Sequence, residues 1–109
     1  VYVSVSHSGA WEVCVTADVP VGVDVEVIRS AQEKFMRRVC STEEMAYIRP
    51  GDDGGCRRFW EIWTAKESLF KLTGKGPLLT LSRFALPAGV SLDYTEKNGC
   101  ALTVAAQIL

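Results

Sequence analysis

The stretch VGVDVEV, residues 21 to 27, decides the fold. Valine stands at Val21, Val23, Val25 and Val27, with Gly22, Asp24 and Glu26 between them. Alternation of this kind in β-branched residues is the period of a strand. Side chains of a strand point to opposite faces in turn, so the valines share one face and Gly22, Asp24 and Glu26 share the other. The valine face asks for a core. The other face carries two acids side by side. In an arbitrary D-x-E such acids only keep a strand edge soluble, but Gly22 on the same face lets something approach the backbone.

Outward from this strand the chain reads as α+β. Residues 1 to 6 and 11 to 17 alternate in the same way, with turn residues in SHSGA (6 to 10) and ADVP (17 to 20). Residues 31 to 40 fit a short amphipathic helix. STEE at 41 to 44 has the capping-box pattern, Ser41 with Glu44, and opens a second short helix that stops before Pro50. Residues 50 to 55, PGDDGG, form a loop. Residues 57 to 72 form the long helix, with Phe59, Ile62, Trp63, Leu69 and Phe70 as its apolar stripe and Gly74 as its C-terminal cap. A loop with some extended character follows. Strands at 90 to 94 and 100 to 107 close the chain around EKNG, whose Asn98-Gly99 suits a hairpin. The expected fold is an antiparallel sheet packed against one long helix.

Composition fits one small domain of 109 residues. Hydrophobic residues are 48% and charged residues 23%, the balance of a soluble fold with a core. A net charge of -1 excludes a global field that draws nucleic acid or anionic membrane. No apolar run approaches the roughly 20 residues of a membrane span. Cys14, Cys40, Cys56 and Cys100 form no C-x-x-C pair, and are expected as reduced thiols of a cytoplasmic protein. Both ends read as strand, so the chain is expected to be part of something longer.

Three constellations carry chemistry. Asp24 and Glu26, about 7 Å apart at Cβ, repel unless a cation compensates them. Magnesium takes one or two carboxylates together with water and phosphate oxygens. Glu67 and Lys71 in WTAKESLFK (63 to 71) share a helix face at i,i+4. As an exposed pair they contribute only about 0.3 kcal/mol. Trp63 reads as core. SHSG (6 to 9) holds the single histidine, His7, in a polar turn with Ser6, Ser8 and Gly9 that offers donors to a phosphate.

SHSG, then GVDVE (22 to 26), then WTAKESLFK, in this order, resemble the signature set of 4'-phosphopantetheinyl transferases, most closely the surfactin-synthetase-activating type. KFMRRVCSTEE between them and GKG at 74 to 76 are similar too, and the resemblance runs from about Val3 to about Phe84. It implies transfer of the phosphopantetheine arm of coenzyme A to a serine of an apo acyl or peptidyl carrier protein, with adenosine 3',5'-bisphosphate leaving. By resemblance Asp24, Glu26 and Glu67 are ligands of Mg2+. The resemblance further implies Glu67 as base for the serine, directly or through water, and Lys71 as the group that neutralises or protonates the leaving phosphate. It also implies that Ser6 and His7 hold coenzyme A phosphate oxygens, with Lys66 and Lys75 as further candidates for coenzyme A contacts.

Enzymes of this type contain two similar halves with coenzyme A between them, and this chain resembles the second half. The resemblance therefore implies one half of a pseudo-dimer, partnered by the missing N-terminal half or by a second copy. The shorter single-half enzymes of the family carry the same motifs in a different order. Two other readings compete: a non-catalytic carrier-protein-binding module, and a magnesium-dependent phosphohydrolase that needs the carboxylates without the lysine-bearing helix.

Overall fold

The expected strands form, and they divide between two sheets. In the computed structural model, which describes residues 1–109, β1 (Tyr2–Ser8) and β2 (Trp11–Ala17) make an antiparallel hairpin. β3 (Val21–Val27), β5 (Cys100–Gln107) and β4 (Val90–Lys97) make a three-stranded antiparallel sheet in the order β3-β5-β4. Between β3 and β4 come α1 (Glu33–Val39), α2 (Thr42–Ile48), α3 (Gly55–Thr73) and a 3-10 turn, Leu78–Thr80. The class is α+β, with antiparallel sheets and one long helix.

Local chemistry sets the boundaries. β4 runs three residues past its expected end because the hairpin turn is tight: Asn98 (φ 54°) and Gly99 (φ 74°) both adopt the left-handed backbone that such a turn requires. The capping box at α2 closes both ways. The Glu44 amide donates to Ser41 Oγ at 3.1 Å, and the Ser41 amide donates to Glu44 Oε1 at 2.9 Å. Gly74, at φ 68°, ends α3 as expected.

α3 packs on the face of the sheet that carries the acids. Opposite Gly22, Asp24 and Glu26 on β5 stand Ala105, Thr103 and Ala101, all small, and all buried. The hydroxyls of Thr64 on α3 and Thr103 are 2.7 Å apart. What approaches Gly22 is the helix itself: a Cβ there would lie 2.2 Å from the Ser68 carbonyl oxygen. Phe59, Ile62 and Leu69 are fully buried, each such burial being worth about 1.5–3 kcal/mol. Phe70, expected in the same stripe, is 41% exposed. It follows Leu69 by one residue, about 100° around the helix, and only one of the two can face the sheet.

The hairpin joins β3 through side chains instead of a backbone ladder. The amides of Val23, Val25 and Val27 donate to the hydroxyls of Ser4, Ser6 and Ser8 at 3.0, 3.1 and 3.0 Å. Trp11 and Val13 of β2 lean towards the valine face of β3, where they line a shallow depression with Val25 and Leu102.

Lys66, expected as a coenzyme A contact, is fully buried. Its ammonium lies 2.7 Å from Glu44 Oε1 and donates to the carbonyls of Leu78, Leu79 and Leu81. A buried ammonium must be paired and hydrogen-bonded, and these four acceptors do both. They tie α2, α3 and the 3-10 turn together and leave no part of Lys66 for a ligand.

Candidate active site

Asp24, Glu26, Glu67 and Lys71 come together where α3 crosses β3. Asp24 is 5% exposed. Its Oδ1 accepts from the Ser6 hydroxyl at 3.1 Å and lies 3.6 Å from the Lys71 ammonium. Its Oδ2 is buried with no partner. Burial pushes the Asp24 carboxyl up to about 7, helped by the negative charge of Glu26 and, less, Glu67; Lys71 and Ser6 pull the other way and do not prevail. Glu67 is also raised, first by burial, with Lys71 lowering it and Glu26 raising it.

Glu26 is held by three donors. Trp63 Nε1 donates to Oε2 at 3.1 Å, and Ser8 Oγ and Arg29 donate to Oε1 at 3.4 and 3.2 Å. Trp63 thus does two things. Its ring stands among Phe35, Phe59 and the core, as the sequence suggests, while its N–H reaches the acid. Lys71, one turn beyond Glu67, reaches across the seam and donates to the Val23 carbonyl at 2.9 Å and the Val5 carbonyl at 3.2 Å.

The remaining expected residues lie around this centre. Ser6 is buried and its hydroxyl is occupied twice, accepting from Val25 and donating to Asp24. His7 points to the opposite face of β1, exposed, across the hairpin from Glu12. Lys75 is exposed and lines a depression of about 430 Å³ with Pro20, Leu72, Thr73 and Gln107. None of the surface depressions includes Asp24, Glu26 or Glu67.

Whether these acids suit a cation turns on Asp24. No three acidic, histidine or cysteine side chains are gathered closely enough to form a ready ligand set. Glu26 in particular is turned towards Trp63, Ser8 and Arg29. The donor chemistry nonetheless fits a hard cation. Mutual repulsion of carboxylates is part of what raises Asp24 and Glu67, and the buried Asp24 Oδ2 is an acceptor still lacking a partner.

Sequence reasoning did not find the Trp63, Ser8 and Arg29 contacts to Glu26. The signal for one was present: Ser4, Ser6 and Ser8 alternate along β1 as the valines do along β3.

A sequence model of the 4'-phosphopantetheinyl transferase superfamily matches residues 20–103. The chain belongs to this superfamily. The matched stretch holds Asp24, Glu26, Lys66, Glu67, Lys71 and Lys75, while Ser6 and His7 precede it. Among curated proteins the chain is similar to 4'-phosphopantetheinyl transferase gsp of Aneurinibacillus migulanus, 31% identical over 77% of this chain and 36% of the relative. It is 32% identical to 4'-phosphopantetheinyl transferase Sfp of Bacillus subtilis (strain 168), over 76% of this chain and 38% of the relative. It is 36% identical to 4'-phosphopantetheinyl transferase psf-1 of Bacillus pumilus, over 74% of this chain and 35% of the relative. The chain thus matches little more than a third of the length of these phosphopantetheinyl transferases.

Proposed function

We propose that the chain provides the carboxylate-bearing half of an enzyme that moves the phosphopantetheine arm of coenzyme A to a serine of an apo acyl or peptidyl carrier protein. The observation that carries this reading is the meeting of Asp24, Glu67 and Lys71 at the β3–α3 crossing, inside the stretch that matches the superfamily.

In the proposed reaction the serine oxygen forms a bond to the phosphorus of the pantetheine arm, and the pyrophosphate bond breaks. Adenosine 3',5'-bisphosphate leaves with the bonding electron pair. Asp24, Glu26 and Glu67 would hold Mg2+, which supplies positive charge against the pyrophosphate. Glu67, whose raised proton affinity suits a base, accepts the serine proton. Lys71 carries the cation nearest Asp24 and offsets charge on the leaving phosphate. Phosphoryl transfer asks for positioning and charge stabilisation above all, and these residues offer both. Of the basic side chains expected to meet coenzyme A, His7 and Lys75 are exposed and free for its phosphates. The Ser6 hydroxyl and the Lys66 ammonium are taken up inside the protein.

A partner half fits this reading. Val3 and Val5 are 59% and 47% exposed, on the same face of β1 as His7, and such a strip favours contact with the N-terminal half or a second copy. Coenzyme A would bind at that junction. Free thiols at all four cysteines suit a reducing, cytoplasmic setting. No helix is long and apolar enough to cross a membrane.

The test is to incubate the full-length protein with coenzyme A, Mg2+ and an apo carrier protein and weigh the carrier by mass spectrometry. A gain of one phosphopantetheinyl group that disappears with Asp24→Asn is the expected result. An unchanged carrier that nevertheless co-purifies with the protein would favour a non-catalytic binding module. Hydrolysis of coenzyme A with no carrier product would favour a phosphohydrolase.

A further inference from the structure

The serine seam contains a repeated unit that reaches the acids. At Ser6 the hydroxyl accepts from the Val25 amide (3.1 Å) and donates to Asp24 Oδ1 (3.1 Å). At Ser8 the hydroxyl accepts from the Val27 amide (3.0 Å) and donates to Glu26 Oε1 (3.4 Å). Each hydroxyl therefore accepts a hydrogen bond from the amide of one β3 residue and donates one to the side chain of the residue before. At Ser4 the same amide contact exists, to Val23 at 3.0 Å, but the preceding residue is Gly22 and there is no acid to receive the hydroxyl proton.

We propose that Ser6 and Ser8 are positioning residues that fix the orientation of the Asp24 and Glu26 carboxylates for a divalent cation. The inference rests on the proposed metal role of those acids. It adds Ser8, which lies outside the stretch matched to the superfamily, and it gives Ser6 a task separate from any contact with coenzyme A. A hydroxyl's single proton has one destination. The amide already occupies a lone pair of the oxygen and leaves the proton for the acid, so the backbone of β3 dictates where that proton points. With one oxygen of each carboxylate held in this way, its rotation is restricted, and the other Glu26 oxygen, Oε2, accepts from Trp63 Nε1 at 3.1 Å. For Asp24 the oxygen left over is the buried, unpartnered Oδ2. Hydrogen bonds to ligating carboxylates are worth about 10–100-fold in metal affinity.

Ser4 supplies an internal control, because it shares the seam contact and lacks the acid. The experiment is titration of the full-length protein with Mn2+ in the absence of coenzyme A, followed by electron paramagnetic resonance, with thermal melts on every variant. Wild type is expected to bind Mn2+ and Asp24→Asn to lose it. Ser4→Ala should keep wild-type affinity, whereas Ser6→Ala and Ser8→Ala should each weaken it roughly tenfold or more. Ser8→Thr, which keeps the hydroxyl, should restore binding. Ser8→Cys, of similar size and a poor donor, should weaken it without loss of fold and stands in if Ser8→Ala is unstable. If Ser6→Ala and Ser8→Ala bind as Ser4→Ala does while Asp24→Asn does not bind, the positioning role is overturned and the metal reading stands. If wild type itself takes up no Mn2+, or Asp24→Asn binds as well as wild type, both fall.

Discussion

Gly22 and Ser68 are in backbone contact: a single carbon added at Gly22 would come within 2.2 Å of the Ser68 carbonyl oxygen and 2.8 Å of the Leu72 amide nitrogen. The residue two places before Asp24 is therefore where α3 rests on β3, and this contact brings Glu67 and Lys71 over the acids. Gly22→Ala must push the helix away. Overpacking of this kind costs about 1–3 kcal/mol. Chemical denaturation should show that loss, and transfer activity of the full-length protein should fall further than the lost stability explains.

The buried pair of Lys66 and Glu44 should behave asymmetrically. Removing one partner strands a buried charge, so Lys66→Met or Glu44→Leu should each cost about 3–5 kcal/mol. Replacing both, Lys66→Met with Glu44→Leu, should recover much of that loss. A double-mutant cycle read by urea melts decides this. Additive losses would show that the pair is not coupled.

Asp24 predicts the pH dependence of the metal-free protein. Its folded carboxyl titrates near 7, against 3.8 as the ordinary value. A raised acid stabilises the fold fully below the lower value and loses that contribution as pH rises through the upper one. Thermal stability in the presence of a chelator should therefore decline between about pH 4 and 7, with a slope of up to about 1.4 kcal/mol per pH unit from this group. Asp24→Asn should flatten the decline. A profile identical to wild type would place the titration elsewhere.

Lys71 joins two structural carbonyls to Asp24, and its removal should show in two ways. Lys71→Ala should lower kcat more than it raises KM for coenzyme A, because charge on the leaving phosphate grows in the transition state. It should also destabilise the fold by about 1–3 kcal/mol, since the Val5 and Val23 carbonyls lose a charged donor. Lys71→Arg should return stability before activity. An effect confined to KM would make Lys71 a ground-state binder only.

Much of this was legible because period and turn chemistry are local. Alternating valines give β3, Ser41 with Glu44 gives the start of α2, and Asn98-Gly99 gives the last hairpin. Asp24, Glu67 and Lys71 were legible as a group only through their resemblance to a family pattern, since 43 residues separate Asp24 from Glu67. Other features depend on where elements meet. Lys66 and Lys71 look alike in sequence, yet one lies beside Glu44 in the interior and the other at the seam. Phe70 and Leu69 are both apolar, and the packing of α3 buries only one. The division into two sheets was hidden for a similar reason: serine hydroxyls do the work of carbonyls along one side of β3, and a propensity pattern does not register that exchange.

That exchange bears on how the chain avoids sticking to others. An exposed strand border, with its row of free amides, is a template for aggregation. β3 has β5 on one side, and on the other its amides at Val23, Val25 and Val27 are capped by hydroxyls while its Val23 carbonyl is capped by Lys71. A stray strand finds those three amides and that carbonyl already taken. The most valine-rich strand of the molecule is thus insulated by three of the smallest polar side chains and one lysine, and replacing those serines with alanine together would turn a quiet border into an adhesive one.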